Sequence, residues 1–177
     1  MIHPILLYGN DVLKQKSEDL PKSFSKLNEL IDDMFETMHK SNGIGLSAIQ
    51  IGIPLNIFVI EVHIIEEDFH FRNVFINPII KKEYGPFIKY SEACLSLPMI
   101  HAMVQRRAEI ELEYYDENWN LHVENFNGYK SRIIQHEYDH LQGILYIDRI
   151  DYFWKKILEK PLEEIKERKI NTKYGSK

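Results

Sequence analysis

The sequence predicts an α+β fold in which mixed or antiparallel β-sheets pack around one central helix, with a further helical region at the C-terminal end. Two stretches have apolar residues at helical spacing, β-rich segments lie between them, and a charged helical stretch follows the second. The 177 residues, 44% hydrophobic and 12% aromatic, are enough for one domain with a buried core. We therefore expect residues 1–177 to form a single domain.

The first predicted helix covers residues 24–38. Ser23 is its expected N-cap, and Asn42 with Gly43 its expected end. The next segment, "LNIFVIEV" at residues 55–62, predicts a largely buried strand. The helical spacing rests on seven apolar residues: Phe24, Leu27, Leu30, Ile31, Met34, Phe35 and Met38.

The middle of the chain is predicted to be extended. "NVFINPIIKK" at residues 73–82 and "FIKYSEACLSLP" at residues 87–98 are β-rich segments interrupted by proline and glycine. Residues 108–126 alternate polar and apolar side chains around a turn at Asp116 to Asn118. This alternation predicts a β-hairpin.

The second predicted helix contains "IIQHEYDHLQG", residues 133–143, and Gly143 is its expected stop. A further helical region begins at about Asp151, and Pro161 is expected to start, kink or divide it. One face of the second helix collects five residues by their i, i+4 and i+7 offsets: Tyr129, Ile133, His136, Glu137 and His140.

The composition argues against several classes of protein. A net charge of −5 with both signs scattered along the chain gives no basic footprint for DNA. The single cysteine excludes an intrachain disulfide and favours a reducing, cytoplasmic setting. The start of the chain has no signal-peptide pattern, and the most apolar stretch, residues 53–65, is too short and too polar to span a membrane.

The spacing of His136 and His140 predicts a metal site. Residues four apart on a helix lie one turn apart, so both imidazoles can reach one ion. Catalytic zinc-like sites use three protein ligands and keep a position for a water, whose pKa the ion lowers. Glu137 points to the same side and suits the role of a base better than that of a ligand.

The residues alone leave the third ligand open. One protease family places a third histidine where this chain has Tyr146, and another takes a glutamate near the positions of Glu159 and Glu163. Those glutamates lie in a charged stretch that we expect to be solvated. Cys94 offers a thiolate, a strong ligand for zinc or ferrous ions, although most free cysteines are small buried hydrophobic residues.

Three segments together resemble the peptide deformylase family. That family carries Gly-x-Gly-Leu-Ala-Ala-x-Gln, then Glu-Gly-Cys-Leu-Ser, then Gln-His-Glu-x-Asp-His-Leu. This chain has "GIGLSAIQ" at residues 43–50, "EACLS" at 92–96 and "QHEYDHL" at 135–141, in the same order. The resemblance is strongest over residues 1–150, and residues 151–177 form a variable C-terminal region.

The resemblance implies a role for each matching residue. Cys94, His136 and His140 correspond to the metal ligands, and Glu137 to the catalytic general base and acid. Gln50 and the backbone N–H of Leu95 correspond to the groups that stabilise the oxyanion.

The activity implied is metal-dependent hydrolysis of the formyl group from the N-terminal methionine of nascent polypeptides, with release of formate. The water bound to the metal attacks the formyl carbon. The implied cofactor is one divalent metal ion. The native ion of the family is usually ferrous iron, and zinc, nickel or cobalt can replace it.

The resemblance also implies a pocket for the methionine side chain. Glu92 is expected to support the site, and the stem of Arg132 is expected to line the pocket while its charged head reaches solvent. The other residues implied to contact substrate are Ile44, Gly45, Tyr129 and Ile133.

Two positions depart from the family pattern. Ser47 replaces an alanine, and we expect a small effect. Ala93 replaces a glycine beside Cys94, and would cost about 1 kcal/mol or more if that backbone needed a positive φ.

Two rival hypotheses remain at this point. A metalloprotease would use the same helix motif with a third ligand other than Cys94. A catalytically silent relative would bind nascent peptides or the ribosome without chemistry. Lysines near the end of the chain are candidates for a ribosome contact, although a solvated helix face is the better interpretation: Lys155, Lys156, Lys160 and Lys166.

Overall fold

A computed structural model describes residues 1–64, 69–172 and 174–177. The described elements comprise five strands, three α-helices and short 3-10 helices. The strands are β1 Gly45–Ser47, β2 Ile57–Ile64, β3 Phe69–Cys94, β4 Leu97–Tyr115 and β5 Leu121–Phe126. The α-helices are α1 Leu27–Lys40, α2 Gly128–Leu141 and α3 Tyr152–Lys166. The α+β class is confirmed.

The five strands form one antiparallel sheet in the order β1-β2-β3-β4-β5. Within the described part of the chain, the parallel pairings are isolated bridges, such as the one between Ile5 and Ser176. The segments predicted at residues 73–82 and 87–98 belong largely to the single long strand β3. Register shifts at Ile76/Ile79 and Tyr84/Phe87 accommodate its proline and glycine residues.

Strand β2 is buried on both faces, which explains its nearly continuous apolar run. Ile57 and Val59 pack in the cluster formed with α1, whereas Phe58 and Ile60 pack in the cluster formed with α2. Successive side chains of a strand point to opposite faces, so a strand between two helices needs apolar residues at every position. The predicted buried strand is therefore confirmed, although it begins and ends two residues later than the predicted range 55–62.

Helix α1 begins later than predicted. Lys26 is its N-cap residue, without a side-chain cap, so the prediction of a cap at Ser23 is wrong. The chain instead makes turns before Leu27. The expected end is confirmed, since Asn42 follows the helix with a φ of 57°.

Helix α2 crosses the sheet as the predicted central helix. Ile133, Ile134 and Leu141 pack against the cluster that contains Phe58 and Phe75. The helix ends at Leu141, and Gly143 adopts a φ of 72°, which agrees with the predicted stop. This packing fixes the helix that carries the histidine motif against β1, β2 and β4.

The C-terminal helix α3 runs without interruption through Pro161, so the proline neither starts nor divides it. The Asp151 side chain accepts a hydrogen bond from the Trp154 N–H at 3.1 Å and caps the helix. Beyond α3 the chain returns to the N-terminal segment, where Ile5 pairs with Ser176. None of the helices described is both long and apolar enough to cross a membrane.

Candidate metal centre and active site

Three side chains from two elements meet at the end of the central helix. Cys94 is the last residue of β3, and His136 and His140 lie one turn apart on α2. Their ligand atoms all lie within 4.8 Å of one another, and Cys94 Sγ lies 3.2 Å from His140 Nε2. The structure thus brings Cys94 to the histidine pair, and a sulfur and two imidazole nitrogens suit zinc or ferrous iron.

Glu92 orients the first histidine. Its Oε2 lies 2.9 Å from His136 Nδ1. A carboxylate at this distance accepts the Nδ1–H bond, which leaves the Nε2 lone pair of His136 free to bind a cation. This arrangement fits a metal ligand and was not predicted from local sequence spacing.

The carboxylate of Glu92 is itself held by two buried arginines. Arg106 donates from Nε at 2.7 Å and from Nη2 at 2.9 Å, and Arg132 donates from Nη1 at 2.9 Å. Burial alone would raise the pKa of Glu92, but the hydrogen bonds from Arg106 and His136 hold it far below its ordinary value. Glu92 therefore remains charged where it contacts His136, and its supporting role stays a prediction.

Asp139 on α2 extends this ionic network. It accepts a hydrogen bond from Arg106 Nη1 at 2.6 Å and is also paired with Arg149. Arg106 and Asp139 are almost completely buried. The network ties β3, β4 and α2 together directly behind the histidines, and the sequence motif gave no indication of it.

Glu137 lies in the same cleft, enclosed by β1. Its Oε2 lies 2.8 Å from Ser47 Oγ. A Cβ added to Gly45 would come within 2.5 Å of its Oε1, so a larger residue there would force the carboxylate to shift. Burial raises the pKa of Glu137, which is the direction that would suit a carboxyl group to proton exchange near neutral pH.

Gln50 presents its amide nitrogen to the site. The N–H of Ser47 donates to Gln50 Oε1 at 2.9 Å, which fixes the orientation of the amide group. Its Nε2 then donates to Ser96 Oγ at 3.2 Å and lies 3.5 Å from Cys94 Sγ. A fixed amide donor beside a cluster of metal ligands can stabilise negative charge on a bound carbonyl oxygen.

A cleft of about 760 Å³ opens at these residues. Ile44 and Tyr129 line it as half-exposed side chains, and Ile133 lines it from the buried core. Leu95 and Gly45 also face the cleft. The residues that the resemblance assigned to substrate binding therefore surround one cavity.

The expectation for Arg132 is wrong in one respect. It lines the cleft, but its head does not reach solvent, since only 5% of the residue is exposed. The guanidinium donates to Glu92, to the Val104 carbonyl at 3.1 Å and to the Ile88 carbonyl at 2.7 Å. A buried guanidinium needs such partners, and Glu92 supplies the counter-charge.

The two glutamates considered as alternative metal ligands do not belong to this cluster. Glu159 and Glu163 are exposed on α3 and pair with Lys156 and Lys166. Ala93 is not one of the described residues whose φ is positive. The backbone strain expected for an alanine in that conformation therefore does not arise. Within the described ranges, Cys94 with the two histidines is the one group found that could hold a metal.

A cysteine and two histidines, beside a buried glutamate and a fixed amide donor, define the class of site found in mononuclear metal hydrolases. The polypeptide deformylase family model matches residues 2–156. A peptide deformylase of Christiangramia forsetii is 41% identical over 185 residues, which cover 98% of this chain and 94% of that protein.

Solved structures agree with this relationship. Peptide deformylase from Plasmodium falciparum superposes with a TM-score of 0.85 at 35% identity, covering 93% of this chain and 95% of that one. A peptide deformylase from Acinetobacter baumannii with Met-Ala-Ser bound superposes with a TM-score of 0.79 at 28% identity, covering 85% and 99%. The chain belongs to the polypeptide deformylase family, and it is an enzyme with deformylase activity.

Proposed function

We propose that this enzyme hydrolyses the formyl group from the N-terminal methionine of nascent polypeptides and releases formate. The observation that carries the proposal is that Glu137 and Gln50 line the same cleft as Cys94 and His136, the two cleft-lining members of the cluster completed by His140. The related Acinetobacter enzyme binds Met-Ala-Ser, the peptide that deformylation of a formyl-Met-Ala-Ser chain would leave.

The cofactor we propose is one divalent metal ion held by Cys94, His136 and His140, with ferrous iron as the native ion and zinc, nickel or cobalt as substitutes. The donor set fits, because Glu92 holds His136 through its Nδ1 and Cys94 Sγ lies 3.2 Å from His140 Nε2. When bound, such an ion supplies Lewis acidity and a nucleophile at neutral pH.

Glu137 carries the proton in the proposed mechanism. Its carboxylate accepts a proton from the attacking water and delivers it to the leaving amine when the C–N bond breaks. Ser47 on one side and Gly45 on the other hold the carboxylate in place. The same group thus acts first as base and then as acid.

Gln50 and Leu95 stabilise the oxyanion. The Gln50 Nε2 and the backbone N–H of Leu95 donate hydrogen bonds to the formyl oxygen as its negative charge develops. One such donor is typically worth about 3 kcal/mol of barrier, or roughly 100-fold in rate.

The methionine side chain enters the apolar part of the cleft. Ile44, Tyr129 and Ile133 form its walls, and Gly45 lets the backbone approach the peptide. The Arg132 stem adds to the wall while its head stays bonded to Glu92. These residues select an unbranched apolar side chain.

We place this activity in the cytoplasm, where formylated chains leave the ribosome, and expect neither DNA nor membrane as a partner. The lysines of α3 are exposed or half-exposed and remain candidates for a weak ribosome contact. Three of the four already pair with neighbouring acids: Lys156 with Glu159, Lys160 with Glu164 and Lys166 with Glu163. A solvated helix face therefore remains the better interpretation.

The test is formate release from formyl-Met-Ala-Ser by protein loaded anaerobically with ferrous iron. Rapid release by the unmodified enzyme, and its loss in a Glu137→Gln variant that keeps its metal, would establish the reaction and the role of Glu137. A matched Glu117→Gln variant, altered on an exposed carboxylate, should retain full activity. Binding of the formyl peptide without turnover, at full metal occupancy, would overturn the proposal.

The metal and its third ligand can be tested separately. Cys94→Ala should abolish tight metal binding, whereas a site with a different third ligand would bind metal nearly unchanged. The iron form should lose activity during exposure to air, because a ferrous thiolate centre is open to oxidation. Activity that persists through prolonged exposure would count against iron.

A further inference from the structure

The chain beyond α3 has a fixed conformation against the N-terminal segment. The Ile5 N–H donates to the Gly175 carbonyl at 2.9 Å, and the Lys177 N–H donates to the Ile5 carbonyl at 2.9 Å. The Leu7 N–H then donates to the Lys177 carbonyl at 2.9 Å. Since Ile5 and Leu7 are fully buried, these bonds tie the C-terminal segment, here residues 170–172 and 174–177, to the core.

The same segment reaches the active-site cleft. Asn171, Thr172 and Tyr174 line the cavity that also contains Cys94 and Glu137. Thr172 Oγ1 donates to the Tyr174 carbonyl at 2.6 Å. The family match ends at residue 156, so this wall lies outside the part of the chain that the family model covers.

Tyr174 contacts the strand end that carries the catalytic groups. Its hydroxyl donates to the carbonyl of Leu95. Leu95 lies between Cys94, a proposed metal ligand, and Ser96, which accepts from Gln50. Fixing the Leu95 carbonyl therefore restrains the residue whose N–H faces the oxyanion in the proposed mechanism.

The end of the cleft beside this segment differs chemically from the metal end. Its described lining combines the polar side chains of Asn171 and Thr172 with an apolar side from the start of β4, where Met99 is 84% exposed. None of these side chains is charged. Such a surface fits an extended peptide backbone carrying neutral side chains, because amide and hydroxyl groups can pair with the peptide bonds.

We propose that Asn171, Thr172 and Tyr174 of the C-terminal segment form a wall of the substrate cleft that recognises the peptide residues after the methionine, with Tyr174 as a positioning residue for Leu95. This inference rests on the proposed deformylase function. The occupant is a formyl-methionyl peptide with neutral residues at the second and third positions. Asn171 contacts its backbone, whereas Tyr174 acts through Leu95.

The first test compares two substrates, formyl-methionine amide and formyl-Met-Ala-Ser. Asn171→Trp places a large side chain at an exposed position of the wall, and the ratio of the tripeptide KM to the amide KM should rise about tenfold. Lys177→Trp is the matched control, since Lys177 is exposed in the same segment and does not line the cleft. It should leave the ratio unchanged.

The second test separates positioning from recognition. Tyr174→Phe keeps the ring and removes the hydrogen bond to Leu95, so kcat should fall about fivefold for both substrates while both KM values stay constant. An unchanged kcat at full metal occupancy would overturn the positioning role. An unchanged KM ratio in Asn171→Trp would overturn the recognition role.

Assays of the unmodified enzyme distinguish a failure of this inference from a failure of the proposed function. If it releases no formate from either substrate at full metal occupancy, the deformylase function itself has failed. If it processes both substrates and the Asn171→Trp ratio equals that of the control, only the inference about the C-terminal segment has failed. Thermal unfolding of each variant is measured before the kinetics, so that a variant that does not fold is identified.

Discussion

The hydroxyl of Ser47 lies 2.8 Å from Oε2 and 3.0 Å from the backbone carbonyl of Glu137, the residue proposed to carry the proton. Both residues are buried, and Ser47 is fully so. A buried carboxylate oxygen without a donor is costly, so the hydroxyl stabilises one orientation of the glutamate. This contact involves a position at which the chain departs from the family pattern.

Replacing Ser47 with alanine should slow catalysis modestly. Loss of a hydrogen bond worth about 1 kcal/mol would lower kcat about fivefold, with little change in KM. Steady-state formate release measures both values, and Ser23→Ala, at an exposed position before α1, serves as control. A kcat equal to that of the unmodified enzyme would show that packing alone positions Glu137.

Gly45→Ala should be far more damaging. The added Cβ would come within 2.5 Å of Oε1 and 2.9 Å of Cδ of Glu137, so the carboxylate must move. A displacement of about 1 Å of a catalytic group can cost roughly 100-fold in rate. We expect kcat to fall by about that factor while metal content is retained.

The control for Gly45→Ala is Gly175→Ala. There the nearest heavy atom to the added Cβ, Cα of Pro4, is 4.0 Å away, so alanine should fit without adjustment. Full activity in both variants would mean that Glu137 shifts without penalty, and its proposed role would then need revision.

Glu92→Gln should weaken metal binding. Glutamine keeps the size of the side chain but loses the charge that Arg106 and Arg132 neutralise and that orients His136. Loss of such a partner typically lowers metal affinity by about 10–100-fold. Competition with a chelator measures zinc affinity, with Glu117→Gln as control, and equal affinities in the two variants would contradict the orienting role.

The sequence predicted the structural features that depend on neighbouring residues and missed those that depend on distant ones. Helix α2, its face and its stop at Gly143 were predicted correctly, because helical spacing and glycine signals act within a few residues. The continuity of β3 was missed, because Pro78 and Pro86 look like breaks in sequence. In the structure, register shifts at Ile76/Ile79 and Tyr84/Phe87 absorb them.

The functional site was likewise predicted only in part, because several of its contacts join residues far apart in the sequence. The pair His136 and His140 was evident from spacing, whereas Cys94 was one candidate third ligand on the chemistry of its thiolate and was assigned through the family resemblance. The partner of Arg132, Glu92, is 40 residues away, so local patterning could not show that its charge would be buried. Tyr174 contacts a residue 79 positions earlier, and no local signal marks it.

The buried ionic network of Arg106, Glu92 and Asp139 should contribute several kcal/mol to the stability of the fold. Arg106 bridges Glu92 at 2.7 Å and Asp139 at 2.6 Å, and all three side chains are at most 5% exposed. Removing one partner of a buried ion pair leaves uncompensated charge and typically costs about 3–5 kcal/mol. Arg106→Leu should therefore lower the free energy of unfolding by about that amount, measured by urea titration of the metal-free protein. Lys81→Met removes an ion pair with Glu113 in which Lys81 is 45% exposed, and it should cost less than about 1 kcal/mol. Equal losses in the two variants would mean that water or rearranged side chains neutralise Glu92 and Asp139, and that the network adds no more stability than a surface pair.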